Sequence, residues 1–309
     1  MNIGITGASG FIGSYLLKYL TGNKNYTIHA LSRGMTCPLP LEQDQIIWKK
    51  GDICSRQTCE EFIKDLDVLI HLAHTNIPLN SNNDLPFDAL LNLIPTLNLL
   101  EAIRKYRRGI HIIYTSSGGA VYGPSTDRKP FREMDKCLPL SSYGIQKLMA
   151  EYYLRLWAGK SFLSTTVLRI GNPYGILLPY ERRQGLIGIA LNQVIKKQPV
   201  YIFGNPDNVR DYIHLEDLCR LIEKSFVKYK PFEIFNVGSG QGYSVNEVLS
   251  LLETYSGRKI EKKIITIEND TDLTDWVVLD ITKAREELSW EPEITIEHGL
   301  QLLWRDLEC

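Results

Sequence analysis

Tyr143 and Lys147 stand four residues apart in Ser141-Ser142-Tyr143-Gly144-Ile145-Gln146-Lys147, where a long apolar-periodic stretch begins. On a helix, positions i and i+4 share a face. An ammonium beside a phenol favours the phenolate and draws its pKa down from about 10 towards the working pH. Such a phenolate is a general base for taking the proton of an alcohol. Surface helices carry this spacing by chance, so its meaning depends on what accompanies it.

The N-terminus offers a partner. Gly7-Ala8-Ser9-Gly10-Phe11-Ile12-Gly13 follows a strand-like run and opens a helical pattern. Gly7, Gly10 and Gly13 permit a tight turn and a close backbone approach to a pyrophosphate. The helix start, with Phe11 and Ile12, would present free N–H groups to the phosphates. A dinucleotide cofactor is the expectation. The second strand of such folds usually ends in an acid that binds the adenosine ribose. Here Ser32 and Arg33 occupy that end. A carboxylate would repel a 2′-phosphate, whereas Ser32 and Arg33 could bind one. NAD and NADP both stay open, with NADP favoured. Asp52 and Ile53, after the third strand, suit adenine contact.

The elements that must position these groups alternate from the start. Strand-like runs at 2–6, 27–31, 45–49, 68–72, 111–115 and 165–170 are separated by helical patterns at 11–20, 58–64, 87–106 and 143–157. That rhythm predicts an α/β, Rossmann-type, doubly wound parallel sheet. The period breaks after Ile170, and 172–175 and 178–180 read as loops. Helices at 186–197, 215–228, 245–255 and 297–307 and strands at 200–203 and 233–237 then indicate a smaller mixed α/β lobe. The expected division is 1–170 for the dinucleotide-binding domain and 171–309 for a substrate lobe, with segments returning to the first domain.

Composition narrows the function classes. The chain has 309 residues and a formal net charge of -1. That balance gives no electrostatic case for nucleic acid or a membrane surface. Cys37, Cys54, Cys59, Cys137, Cys219 and Cys309 lack metal-ligand spacing and read as reduced thiols of a cytoplasmic enzyme. His71, His74 and His214 read as residues lining the fold, and no metal is expected. The first strand begins at once, leaving no room for a signal peptide, and no apolar run is long enough to span a bilayer.

Further motifs carry a resemblance. They are Ser116-Ser117-Gly118-Gly119-Ala120-Val121-Tyr122-Gly123, Asn172-Pro173-Tyr174-Gly175, Arg210-Asp211-Tyr212-Ile213-His214 and Asn236-Val237-Gly238-Ser239-Gly240. With the glycine run and the Tyr/Lys pair they resemble, in order and over nearly the whole chain, the extended short-chain dehydrogenase/reductases. Within these, the chain is similar to the NAD-dependent epimerase/dehydratase family. The resemblance implies that Tyr143 is the base and that Lys147 is its electrostatic partner, bonded also to the nicotinamide ribose. Leu72, Ala73 and Ser116 would lie along the cofactor. Ser117, Gly118, Asn172 and Leu186 would face the substrate. Arg210 would bind the diphosphate of a nucleotide sugar, UDP by family, unless it pairs with Asp211. A homodimer through the helices at 87–106 and 143–157 is implied too.

The chain departs from the family pattern at three points. Gly118 stands where many members have a Ser or Thr that stabilises charge on the substrate oxygen. Ser117 is the nearest substitute and Ser116 the next. Gly119 and Ala120 stand where 4,6-dehydratases need an acid pair, which argues against dehydration. The segment Glu268–Leu273 is acidic where members usually carry an arginine. Three readings follow: an NAD(P)-dependent nucleotide-sugar 4-epimerase, an NADPH-dependent 4-keto-sugar reductase, and a non-catalytic cofactor-binding sensor.

Overall fold

The computed structural model describes residues 1–34, 37, 45–75, 81–106, 109–158, 163–177, 185–227, 230–265 and 274–308. The first half runs β1 (Asn2–Thr6), α1 (Phe11–Leu20), β2 (Thr27–Ser32), β3 (Ile46–Lys50), α2 (Arg56–Phe62), β4 (Val68–His71), α3 (Leu85–Tyr106), β5 (Ile110–Ser117), α4 (Gly118–Val121), α5 (Ser142–Ala158) and β6 (Leu163–Ile170). The second runs β7 (Asn172–Tyr174), α6 (Leu186–Ile195), β8 (Val200–Phe203), β9 (Val209–His214), α7 (Leu215–Lys224), β10 (Phe232–Val237), β11 (Gly242–Ser244), α8 (Val245–Ser256), β12 (Lys262–Ile265), β13 (Trp276–Val277), α9 (Thr282–Leu288) and α10 (Ile296–Glu308).

Seven strands form one parallel sheet in the order β3-β2-β1-β4-β5-β6-β10. Strand alternation divides the side chains between two cores. Ile3, Ile5, Ile28, Ala30, Val68 and Ile70 pack under α1 and α7, against Leu16, Leu17, Leu20, Leu218, Leu221 and Ile222. Leu31, Leu69, Ile112, Tyr114 and Val167 point the other way, against Phe62 of α2, Leu99 and Ile103 of α3, and Leu154 of α5. The strand order reverses on either side of β1, which opens a crevice at the carboxyl ends of β1 and β4.

The last strand of this sheet, β10, comes from the second half of the chain and pairs with β6 from Phe232↔Thr165 to Val237↔Ile170. The second half otherwise surrounds a core of its own, in which Ile187, Leu191, Val194, Val200, Ile202, Leu252 and Leu300 meet. Here the structure differs from the sequence reading. Residues 172–174, read as loop, form β7, whose recorded pairing is with β9 alone. An edge position tolerates Pro173, which has no N–H to donate. The strands β9, β11, β12 and β13 and helices α4 and α9 are short and carry no period long enough to read. The helix read at 58–64 starts earlier, at Arg56, because Ser55 caps it by accepting from the Thr58 N–H at 3.3 Å. Residues 178–180, the acidic segment Glu268–Leu273 and Cys309 lie outside the described residues. Cys37, Cys54, Cys59, Cys137 and Cys219 are free thiols, and no described helix is long and apolar enough to cross a membrane.

Asp211 on β9 holds the lobe to the sheet. Its buried carboxylate accepts from Ser239 N at 2.6 Å, Ser239 Oγ at 2.8 Å, Gly240 N at 3.1 Å and Leu279 N at 3.1 Å. Gly238 is needed beside it, since a Cβ there would stand 2.3 Å from Asp211 Oδ2. Burial raises the pKa to about 6, against the donors that favour the anion. Asp211→Asn replaces one acceptor by a donor facing donors. It is expected to cost about 2–4 kcal/mol at pH 7 in urea unfolding.

Candidate active site

A cleft of about 640 Å³ lies at the carboxyl ends of the central strands. The turn after β1 forms its floor with Gly7, Gly10, Phe11, Ile12 and Gly13. Ser32 and Arg33 after β2, Asp52 and Ile53 after β3, and Leu72 and Ala73 after β4 line one end. Ser116, Ser117, Tyr143 and Lys147 line the other. Residues spread over most of the first half are thus brought into one cavity.

The glycines are required by contact. Gly7 has φ +71°, and a Cβ on it would lie 2.8 Å from the Ala73 nitrogen. A Cβ on Gly13 would lie 2.3 Å from Gly7 O. Gly10 caps α1 without a side chain. The first N–H groups of this ten-residue helix therefore face the cleft for an anion to use.

Tyr143 is set by the start of α5. Its N–H donates to Ser81 Oγ at 3.1 Å, and the Ser142 N–H donates to Asn82 Oδ1 at 2.8 Å. The Ser142 hydroxyl donates to buried Asp88 at 2.7 Å, and Gln146 donates to both. The helix start is thereby capped from the segment leading into α3. The Ser117 side chain lies near the Tyr143 phenol and favours its anion. Lys147 is 3% exposed; its Nζ donates to Thr115 O at 2.8 Å and lies 5.7 Å from the centre of the Tyr143 ring.

The electrostatics differ from the expectation of a lowered phenol. Burial pushes Tyr143 up to about 12, with the Ser117 side chain opposing it. Burial pushes Lys147 down to about 7, with Glu151 opposing. Removing both charged forms from water outweighs their mutual attraction across this distance.

The serines part company. Ser116 donates its hydroxyl to Glu151 at 2.5 Å, and Glu151 is paired with buried Arg169 at 2.7 Å. Ser117 faces Tyr143. Gly118 lies outside the cleft lining, and a Cβ there would stand 2.7 Å from both Leu279 methyls. A Ser or Thr at 118 would therefore require the Leu279 side chain to shift. A Cβ on Gly119 would meet nothing closer than Asn172 Oδ1 at 3.6 Å and Ser117 Oγ at 3.8 Å. A Cβ is therefore accommodated at 119 in ordinary contact, and at 118 only if Leu279 moves.

Asn172 and Leu186 line a small recess that shares Phe11 and Pro173 with the cleft. Arg210 lines neither. It donates to Val209 O at 2.8 Å and Thr274 O at 2.7 Å, and burial lowers its pKa. Nor does it pair with Asp211, whose acceptors are filled from elsewhere. A larger open recess of about 950 Å³, between residues 122–138 and 239–285, holds none of the cleft groups. Its charges are largely matched, as in Lys129–Asp127 and Arg132–Asp135.

His71 and His214 serve the fold. His71 shares hydrogen bonds with Thr6 at 2.7 Å and Thr96 at 3.0 Å, and burial lowers its pKa to about 3. His214 caps α7. His74 is different: it lines the cleft, with its ring 4.7 Å from that of Tyr143. The sequence reading placed it with the other two. The available signal was its position directly after Leu72-Ala73, at the end of a central strand.

A glycine turn before a helix, a parallel sheet that reverses at β1, and a Tyr/Lys pair at the far end of one cleft define an extended short-chain dehydrogenase/reductase. The family model of the NAD dependent epimerase/dehydratase family matches residues 3–238, and the chain belongs to that family. The dTDP-4-dehydro-6-deoxyglucose reductase of Escherichia coli is 32% identical, over 99% of this chain and 97% of its own. The structure of UDP-glucose 4-epimerase from Thermotoga maritima, with UDP-glucose, superposes with a TM-score of 0.90 at 31% identity, covering 100% of both chains. That of the Thermus thermophilus UDP-glucose 4-epimerase, with NAD, superposes with a TM-score of 0.90 at 26% identity, covering 100% of this chain and 99% of its own. The dTDP-glucose 4,6-dehydratases are also relatives, at 25% identity.

The buried ammonium makes a stability prediction. The folded pKa of Lys147, about 7, lies below the unfolded value of about 10.4. Between them the unfolded chain holds a proton that the folded one lacks, so stability from this group rises with pH across that window. Lys147→Met is expected to be more stable than the parent at pH 6.5, on the order of 1–4 kcal/mol. The margin should shrink towards pH 9.5, as read by urea unfolding at both values.

Proposed function

We propose that the protein is a nucleotide-sugar 4-epimerase. The observation that carries this is the Tyr143 phenol, which lines with Lys147 and Ser117 one end of the cleft that the glycine turn after β1 also lines. The dinucleotide, when bound, supplies a hydride acceptor and, oxidised, a positive charge. Tyr143 takes the proton of the C4 hydroxyl and returns it after inversion. Lys147 holds a counter-charge to the phenolate, and Ser117 orients it. Neither Gly119 nor Ala120 can move a proton, which speaks against a 4,6-dehydration.

A reductase of nucleotide 4-keto sugars is the second reading. It is favoured by the Escherichia coli relative and by Arg33, which lies exposed at the end of the cleft. The Ser32 hydroxyl is engaged with Gly34 O. Arg33 therefore carries the preference for a 2′-phosphate, and NADP is the favoured cofactor. Incubation with UDP-glucose and bound dinucleotide should give UDP-galactose without net change at 340 nm. Consumption of NADPH by a 4-keto sugar, with no C4 inversion, would instead establish the reductase. Tyr143→Phe is expected to lose turnover by about 10²–10⁴-fold while still binding dinucleotide. Unchanged cellular function in that variant would leave only the cofactor sensor.

The partner surface points to a homodimer. Phe87, Leu90 and Ile94 on α3 and Ile145, Met149, Tyr152 and Leu156 on α5 are exposed apolar residues. They recur at helical spacing on two packed helices, which a second copy would cover as a four-helix interface. Leu90→Glu with Tyr152→Glu is expected to convert a dimer to a monomer in sedimentation velocity. A parent chain that sediments as a monomer would end this part of the proposal.

A further inference from the structure

His74 stands in the cleft wall beside Tyr143. Its Nε2 is buried and has no hydrogen-bond partner among the described residues. His71, three positions earlier, has partners on both nitrogens. Buried polar atoms are nearly always paired, and an orphan at a cleft wall is a place where a ligand completes the pairing. The imidazole meets Tyr143 edge to face, with an interplanar angle of 86° and centroids 4.7 Å apart. Leu91, Tyr143 and Lys147 line the same cavity.

The chemistry of the missing partner follows from the ring. Burial, with the neighbouring Lys147 ammonium adding to it, holds His74 neutral. A neutral imidazole offers one N–H and one lone pair, a poor match for a phosphate. A hydroxyl donates and accepts, so it satisfies Nε2 in either tautomer. We propose that His74 is a ligand-contacting residue whose Nε2 hydrogen-bonds a sugar hydroxyl in the cleft, while its ring edge fixes the Tyr143 phenol. The hydroxyl belongs either to a ribose of the dinucleotide or to the hexose of a nucleotide sugar. Only the second source rests on the function proposed above.

Two variants separate the roles. His74→Phe keeps a flat ring against Tyr143 and removes Nε2; His74→Gln keeps a donor and an acceptor and removes the ring. NADPH is titrated by fluorescence, and UDP-glucose is titrated by calorimetry onto protein saturated with dinucleotide. Urea unfolding serves as the control for folding. His74→Phe is expected to unfold at the parent midpoint and to weaken one of the two dissociation constants about three- to tenfold, with partial recovery in His74→Gln. A shift in the NADPH constant assigns the ribose. A shift in the UDP-glucose constant alone assigns the hexose. Both constants within twofold of the parent in His74→Phe would overturn the proposal. Should the parent chain fail to bind UDP-glucose, the earlier functional reading falls. The NADPH titration then decides this one alone, an unchanged constant overturning it.

Discussion

The buried ion pair of Glu151 and Arg169 is the constraint on which the site depends. Their side chains are 3% and 4% exposed and meet at 2.7 Å. Glu151 lies one helical turn beyond Lys147 on α5, and Arg169 lies on β6. Glu151 also accepts from Ser116, and Arg169 donates to the Tyr122 hydroxyl at 3.0 Å and to Glu133 O at 3.1 Å. Tyr122 in turn donates to Asn236 on β10 at 2.6 Å. One connected network thus fixes α5 and the ends of β5, β6 and β10 relative to each other. A buried pair of this kind adds little net stability over an apolar replacement, but a half-broken one is strongly unfavourable. It therefore favours one arrangement over near neighbours.

The same network explains how opposed demands coexist at the pair. A phenol that is to become an anion and an ammonium that is to stay a cation both suffer from burial. Glu151 acts on Lys147 from behind and keeps its pKa from falling further. Ser117 acts on the phenol from the front. The two supports come from different elements, α5 and β5, so the site can hold two poorly solvated groups without letting them collapse onto each other. Dry surroundings make each remaining charge interaction stronger, which is where electrostatic preorganisation gains its effect.

Much of the fold was legible because its driving pattern is local. Each strand of the first half has alternating or continuous apolar residues, and each of its helices except α4 has a long enough period to be seen. The second half was harder. The strands β9, β11 and β13 are set by pairing across distant segments and by the Asp211 anchor, which no window of sequence contains. In the site, the glycine run and the Tyr/Lys pair announced themselves by type and spacing, and the structure brings them into one cleft. Arg210 lines neither recess, and its guanidinium is engaged by the carbonyls of the adjacent Val209 and of distant Thr274, the second of which only the fold brings near. His74 was harder to place: its only signal was its position directly after Leu72-Ala73, and its residue type alone does not separate a core histidine from one that lines a cavity.

Leu279 adds a constraint to the glycine at 118. Its methyl groups occupy the volume that a Cβ at 118 would need, and Leu279 belongs to the stretch between β13 and α9. A serine or threonine at 118 would have to displace the Leu279 side chain, and a smaller residue at 279 would leave a void in the core. Substitutions at the two positions are therefore expected to be non-additive, as contacting neighbours are. The two residues are remote in sequence and adjacent in space. Together they tie the end of β5 to the stretch before α9, so that any side chain added at 118 is felt in the packing at 279.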